Sequence, residues 1–205
     1  MAGDKILSRA REVLKIEEEA VNNVAQNLDD NFKEAIRLIY SCSGKVVVTG
    51  MGKGGIIGRK IAATLASTGT PAVSLHPADA IHGDVGLVTG NDVVLAISNS
   101  GETEEVLRLI PLIKRIGVRL ISMTGRLESS LAKESDVVLN VAVRREACPM
   151  GLVPTASTTA ILALGDAIAM VLLDKRGFRR DDYALYHPGG ELGKKLLDKK
   201  RKLKK

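Results

Sequence analysis

Apolar residues fall at helical spacing from the start of the chain. Ile6, Ala10, Val13, Ile16 and Ala20 step by three and four, which predicts an amphipathic helix over 4–21. Phe32, Ala35, Ile36, Ile39 and Tyr40 repeat the pattern and predict a second helix over 23–42. Then the period changes. KVVVT (45–49) is a β-branched run ending at glycine, the mark of a buried strand. A glycine-rich turn, GMGKGG, leads into the helical stretch IIGRKIAATLAST. The alternation continues with strands at AVSL (72–75), DVVLAI (92–97), RLISMT (119–124) and VVLNVAV (137–143). Between them lie a helix within GETEEVLRLIPLIKRIG, where Pro111 predicts a kink, and a short helix in LESSLAKES. Residues 156–175 are apolar on most faces, so that helix belongs in a core or an interface. HPGGELGKKLL reads as a turn and a short helix.

Strand-helix-strand alternation of this kind predicts an α/β fold. The sheet is doubly wound, Rossmann-like and mostly parallel, with about five strands flanked by helices. Ligands of such sheets sit at the carboxyl ends of the strands.

Composition narrows the function. Aromatic residues are 2% of the chain and Trp is absent, too few to stack bases, which argues against a nucleic-acid partner. The net charge is +6, but Lys194–Lys205 alone carries eight basic residues and one Asp, a net of +7. The remainder is therefore about −1, and the high pI belongs to a terminal tail (198–205) that reads as a solvated end. Two cysteines, Cys42 and Cys148, form no disulfide framework and suit a reducing cytoplasm. The acidic N-terminal stretch is not a signal peptide, and the longest apolar run is interrupted by Asp166, so no membrane association is expected.

Gly50, Gly52 and Gly55 satisfy G-x-G-x-x-G between a strand and a helix. A dinucleotide site also needs an acidic residue after the second strand, yet AVSL runs into His76. A Walker loop fails because no Gly-Lys-Ser/Thr closes the motif. What survives is a turn whose backbone N–H groups, with Lys53, suit a small anion; Gly52 and Gly54 would approach it. The alternative is a tight turn without a ligand. After the third strand come Ser98, Asn99, Ser100, Gly101, Glu102 and Thr103. Three hydroxyls ahead of a helix make a phosphate cradle without Lys or Arg, whereas helix capping would use only one. A second cluster, Thr155, Ser157, Thr158 and Thr159, precedes the last long helix and either caps it or lines the same pocket.

GMGKGGIIGRKIAATLASTGTPA, HPADAIHGDVGLV, ISNSGETEEV, REACPMGLVPTASTTAILALGDA and YHPGGELGKKLL occur in order through most of residues 45–197. Together they resemble the SIS sugar isomerase domains, and within them the arabinose 5-phosphate isomerase group. The resemblance implies a SIS domain over 45–197, with helices 1–44 packed on it or exchanged between subunits. It implies interconversion of D-ribulose 5-phosphate and D-arabinose 5-phosphate without a cofactor, on the way to the Kdo sugar of lipopolysaccharide, by a cytoplasmic homotetramer. Site residues would fall on Lys53, His82, Glu105, Glu146 and His187. Two positions depart from the group: Gly54 stands where a serine is usual, and Asp79 where a glutamate is usual. Most members continue into paired CBS modules, which these 205 residues do not contain.

Moving a carbonyl between C1 and C2 requires a base, enediolate stabilisation and a group that opens the ring. Glu105, in the first turn after the hydroxyl loop, and Glu146, beyond the last strand, are the candidate bases, with Glu105 preferred. Either could instead be structural: Glu102, Glu104 and Glu105 all suit a helix N-terminus. Lys53 would face the developing oxyanion. His82 and His187 could shuttle protons, and His76 reads as structural. His82, His187 and Asp84 lack zinc-ligand spacing, so no metal is expected. Three other readings remain: a phosphosugar-binding regulatory module without turnover, an isomerase of a hexulose phosphate, and a nucleic-acid binder acting through the tail.

Overall fold

A computed structural model describes residues 2–189 of the chain. The short helix expected after Gly190 and the basic tail lie outside the described residues.

Two helices come first, α1 (Ala2–Gln26) and α2 (Asp30–Ser41). The boundary between them lies later than the apolar spacing predicts. Asp29 caps α2 by accepting from the Asn31 N–H at 2.9 Å, so the break falls at 27–29 rather than at residue 22. The strands are β1 (Val46–Gly50), β2 (Ala72–Leu75), β3 (Val93–Ile97), β4 (Arg119–Thr124) and β5 (Val137–Asn140). They form one parallel sheet in the order β2-β1-β3-β4-β5. β1 and β3 are buried along their whole length, as β-branched strands covered on both faces must be.

Helices between the strands are α3 (Gly52–Ser67), α4 (Pro77–Ile81), α5 (Glu104–Leu107), α6 (Ile110–Ile116) and α7 (Ser130–Glu134). After the sheet come α8 (Ala156–Lys175) and α9 (Arg180–Tyr186). One face of the sheet packs on α1, α2, α3 and α8 through Ile39, Ile61, Leu65, Ile161 and Ile168. The other packs on α4 to α7 through Val106, Leu109, Ile113 and Leu131. Gly165 lets α8 approach α3, since a Cβ there would overlap Ile61.

The expected kink at Pro111 is a full break. Pro111 has no N–H to donate to Leu107, so α5 stops there and α6 begins at Ile110. β5 is shorter than the run 137–143 predicts. Asn140 accepts from the Ala142 N–H at 2.9 Å in a side-chain turn that ends the strand. α4, the 3-10 turn Asp84–Leu87 and α9 were not expected; each is too short to show a period. By length and apolar composition α8 could cross a membrane, but half of it is buried inside the fold, as in a core helix.

Candidate active site

The sheet order reverses at β1 and β3: the chain leaves β1 for β2 on one side and returns to β3 on the other. Open parallel sheets leave a crevice at the carboxyl ends of such strands. A cleft of about 210 Å³ lies there. Met51, Lys53 and Gly54 come from the turn after β1, Ser98, Asn99 and Thr103 from the loop after β3, and Pro154, Ser157 and Thr158 from the entry to α8. Three separate sequence segments, each singled out for its chemistry, therefore meet at one place.

Lys53 sits in the first turn of α3, a 16-residue helix. The first N–H groups of a helix have no partner within it, and the helix dipole places partial positive charge there. Gly55 is required by the turn, because a Cβ there would strike the Gly50 carbonyl. The hydroxyl loop is internally ordered. Ser98 and Thr103 share a hydrogen bond of 2.8 Å between their hydroxyls, and Ser98 Oγ also accepts from the Gly101 N–H at 3.0 Å. Gly101 has φ +68°, and its position against Ser129 leaves no room for a side chain. Ser100 accepts from the Glu102 N–H at 3.2 Å and lies 3.5 Å from Ser98 Oγ. Thr103 precedes α5 but makes no capping bond, which leaves its hydroxyl to Ser98 and the cleft.

The three acids around α5 differ. Glu102 accepts from the Ser130 N–H at 2.8 Å, and that bond holds its carboxyl below the ordinary carboxylate range. Glu104 pairs with Arg108 in solvent at 2.5 Å. Glu105 is half-buried and, among the described residues, forms no hydrogen bond or ion pair. It is the one acid of the three free for chemistry.

Glu146 has a structural task. Its carboxylate accepts from the Thr155 N–H (2.7 Å), the Thr155 hydroxyl (3.0 Å) and the Ser157 N–H (3.2 Å). Burial pushes this carboxyl up, but the bonds from Ser157 and Thr155 outweigh it and the net direction is down. A carboxylate capping α8 in this way is a weaker base than a free one. Thr155, meanwhile, caps nothing with its own side chain: its hydroxyl accepts from the Ala147 N–H at 2.8 Å.

Ser100, Glu105, Glu146, His82 and His187 are not among the residues that line this cleft. His82 is exposed at the end of α4. His187 stacks on Tyr183 at 3.9 Å between ring centroids, with Nδ1 3.0 Å from the Tyr183 carbonyl. α8 runs about 30 Å at 1.5 Å per residue, from the cleft to the amino edge of the sheet. There Phe178 lies against Gly69 and Arg176 donates to Thr70. Gly52 lines a neighbouring cleft of about 470 Å³ between β1 and β2, with Arg59, His76, Asp79 and Asp84. That cleft is larger but lacks the hydroxyl loop and Lys53, so the smaller one carries the candidate chemistry. Ile97 and Ile161, which wall it, were not anticipated, since apolar wall residues carry no sequence signal apart from core periodicity. Among the described residues no group of three or more His, Cys, Asp or Glu is placed to hold a metal ion.

The fold is an open parallel α/β sheet with a cleft at its strand-order reversal, and comparison with known proteins gives the family. Residues 39–171 match the SIS domain, and the chain belongs to that family. It is 58% identical over 187 residues to the arabinose 5-phosphate isomerase KdsD of Shigella flexneri, covering 91% of this chain and 57% of that protein. The chain thus spans little more than half the length of the curated relatives it matches. A solved structure of E. coli CFT073 c3406 in complex with arabinose 5-phosphate superposes with a TM-score of 0.89 at 44% identity, covering 92% of this chain and all of that one. A Bacteroides fragilis protein described as a phosphosugar isomerase involved in capsule formation gives 0.87 at 39% identity, covering 90% of this chain and 98% of that one.

Proposed function

We propose that this chain is an aldose-ketose isomerase that interconverts D-ribulose 5-phosphate and D-arabinose 5-phosphate through an enediol. The observation that carries the reading is the convergence of Lys53, the hydroxyls of Ser98 and Thr103, and Ser157 and Thr158 on one cleft at the strand-order reversal. The names of the relatives support the substrate.

Ser98, Asn99, Ser100 and Thr103 hold the phosphate by hydrogen bonds from hydroxyls and amides, with Gly52, Gly54 and the N-terminus of α3 supplying further positive potential. α8 contributes less of its dipole, because Glu146 already occupies its first N–H groups. Lys53 stabilises the negative charge that develops on the sugar oxygens. Glu105 is the base: it removes a proton from C1 of the ketose, and the proton returned to C2 must arrive on the face that gives arabinose. Glu146 holds the α8 wall in place.

His82 and His187 serve ring opening and proton shuttling. α9 spans only about 10 Å from the amino edge, so His187 reaches a cleft by way of a second copy of the chain. That requirement supports an assembly of more than one copy, which the resemblance makes a homotetramer. A cytoplasmic enzyme that feeds Kdo and lipopolysaccharide synthesis is the setting in which this reaction fits. No nucleic-acid or membrane partner enters the mechanism.

The test is conversion of ribulose 5-phosphate by the purified protein beside a Glu105→Gln variant. The parent should turn over, and the variant should lose about 10²-fold or more. No turnover with phosphosugar binding retained would leave a regulatory binding module instead.

A further inference from the structure

Residues 141–155 link β5 to α8 and contain neither helix nor strand. A 15-residue irregular connection inside a compact domain is unusual and has little rigidity of its own. It nevertheless carries Pro154 to the cleft wall and Glu146 to the first turn of α8, beside the wall residue Ser157. What fixes it comes from the far end of the sequence.

α1 packs along α8 through an apolar stripe that includes Val13, Ile16, Ala20 and Val24. Polar side chains on the same side of that helix reach past the stripe. Arg9 donates to the carbonyl of Ala147, next to Glu146. Asn23 donates to the carbonyl of Ala142 at 2.9 Å, at the start of the irregular segment. Glu17 accepts from the hydroxyl of Thr159 at 2.9 Å, next to Thr158. Arg9 and Asn23 are about 21 Å apart along the helix axis, so one rigid element grips the segment near its start and near Glu146. Glu146 then ties the segment to the first turn of α8.

We propose that Arg9, Glu17 and Asn23 are positioning residues. Through Ala142, Ala147 and Thr159 they hold the Glu146 loop and the Ser157–Thr158 wall in the geometry that binds the phosphosugar. The kinetic consequence rests on the isomerase reading, and the structural one on these hydrogen bonds alone. The wall contacts ground state and transition state alike, so loosening it weakens binding uniformly and raises KM rather than lowering kcat.

The test compares the full chain with Arg9→Ala, Arg9→Lys and Glu12→Ala. Glu12 pairs with Arg9 at 2.7 Å in solvent but does not touch the loop, so its variant is the control. Arg9→Ala should raise KM for ribulose 5-phosphate about fivefold, with kcat within about twofold. Arg9→Lys, which keeps a donor, should recover part of the loss. Amide hydrogen exchange of residues 141–155 should accelerate in Arg9→Ala and not in Glu12→Ala. Unchanged KM together with unchanged exchange would overturn the proposal, even if the variant melts earlier. If the parent itself fails to turn over, the isomerase reading falls and the exchange comparison alone decides: faster exchange upholds the brace, and equal exchange refutes it.

Discussion

Replacing Glu146 separates a capping carboxylate from a catalytic base. Glu146→Ala leaves the Thr155 N–H, the Thr155 hydroxyl and the Ser157 N–H without their acceptor. Loss of a helix N-cap costs about 1 kcal/mol, and the two additional charge-assisted bonds at a half-buried site bring the total to about 2–3 kcal/mol. In a domain of this size each kcal/mol moves Tm by about 2–4 °C, so a fall of about 5–10 °C is expected by calorimetry. Glu146→Gln keeps one acceptor oxygen and loses the charge; its fall should be about 3 °C. Acidity should change the comparison in one direction. The folded Glu146 carboxyl titrates below the ordinary 4.5, so its contribution is present above that value and disappears as pH falls through the lower folded value. The stability gap between parent and Glu146→Gln should therefore shrink on acidification below about pH 4.5. Steady-state turnover of the Gln variant should stay within about tenfold of the parent, whereas loss of a base costs about 10²–10⁴-fold. A Gln variant with the parent's Tm and a thousandfold lower kcat, on the order of a lost base, would refute the capping argument.

Gly54→Ser should be accommodated, because the new Cβ would meet Ile97 Cγ2 at 3.5 Å, an ordinary contact. It adds a hydroxyl to the wall beside Lys53, so KM for the phosphosugar should fall while Tm holds or rises slightly; a lower Tm would contradict this. Asp92, whose side chain is 1% exposed, accepts from Lys45 Nζ, the Lys45 N–H and the Thr89 N–H, all at 2.8 Å. Asp92→Asn should cost about 3 kcal/mol in urea unfolding. Burial raises the Asp92 carboxyl, but the Lys45 and Thr89 bonds prevail and lower it, so the parent's advantage is present near neutral pH and lost in acid. Thr49 is buried with its hydroxyl unpartnered among the described residues, so Thr49→Val should raise stability by about 1 kcal/mol; a loss would show that the hydroxyl is satisfied.

The parallel sheet was legible because its strands are buried on both faces and so written as β-branched runs, VVVT and VVLAI above all. α8 was legible because its apolar run is long and uninterrupted by glycine turns. α4 and α9, by contrast, span five and seven residues, too few to show a period, and are set by tertiary contacts such as Phe178 against Tyr186. Glycine and hydroxyl motifs announce themselves locally, which is why Lys53, Gly54, Ser98, Asn99, Thr103, Ser157 and Thr158 could be grouped in advance and do line one cleft. Glu146 as the cap of α8 could not be read. A capping residue is normally sought at the position just before the helix, where Thr155 stands, and here the acceptor folds back from nine residues earlier. The grip of Arg9 on Ala147 spans 138 positions and leaves no trace in local pattern.

Isomerisation differs from mere binding in moving a proton between C1 and C2 of the sugar. Incubating the protein with ribulose 5-phosphate in D₂O and following the sugar by NMR tests for that transfer most directly. The proposed enediol route predicts arabinose 5-phosphate carrying solvent deuterium at C2, because a proton held by a carboxylate base such as Glu105 exchanges with solvent before it is returned. Ribulose 5-phosphate that is bound yet recovered unchanged, with no deuterium at any carbon, would contradict the account and leave a sugar-phosphate sensor in its place.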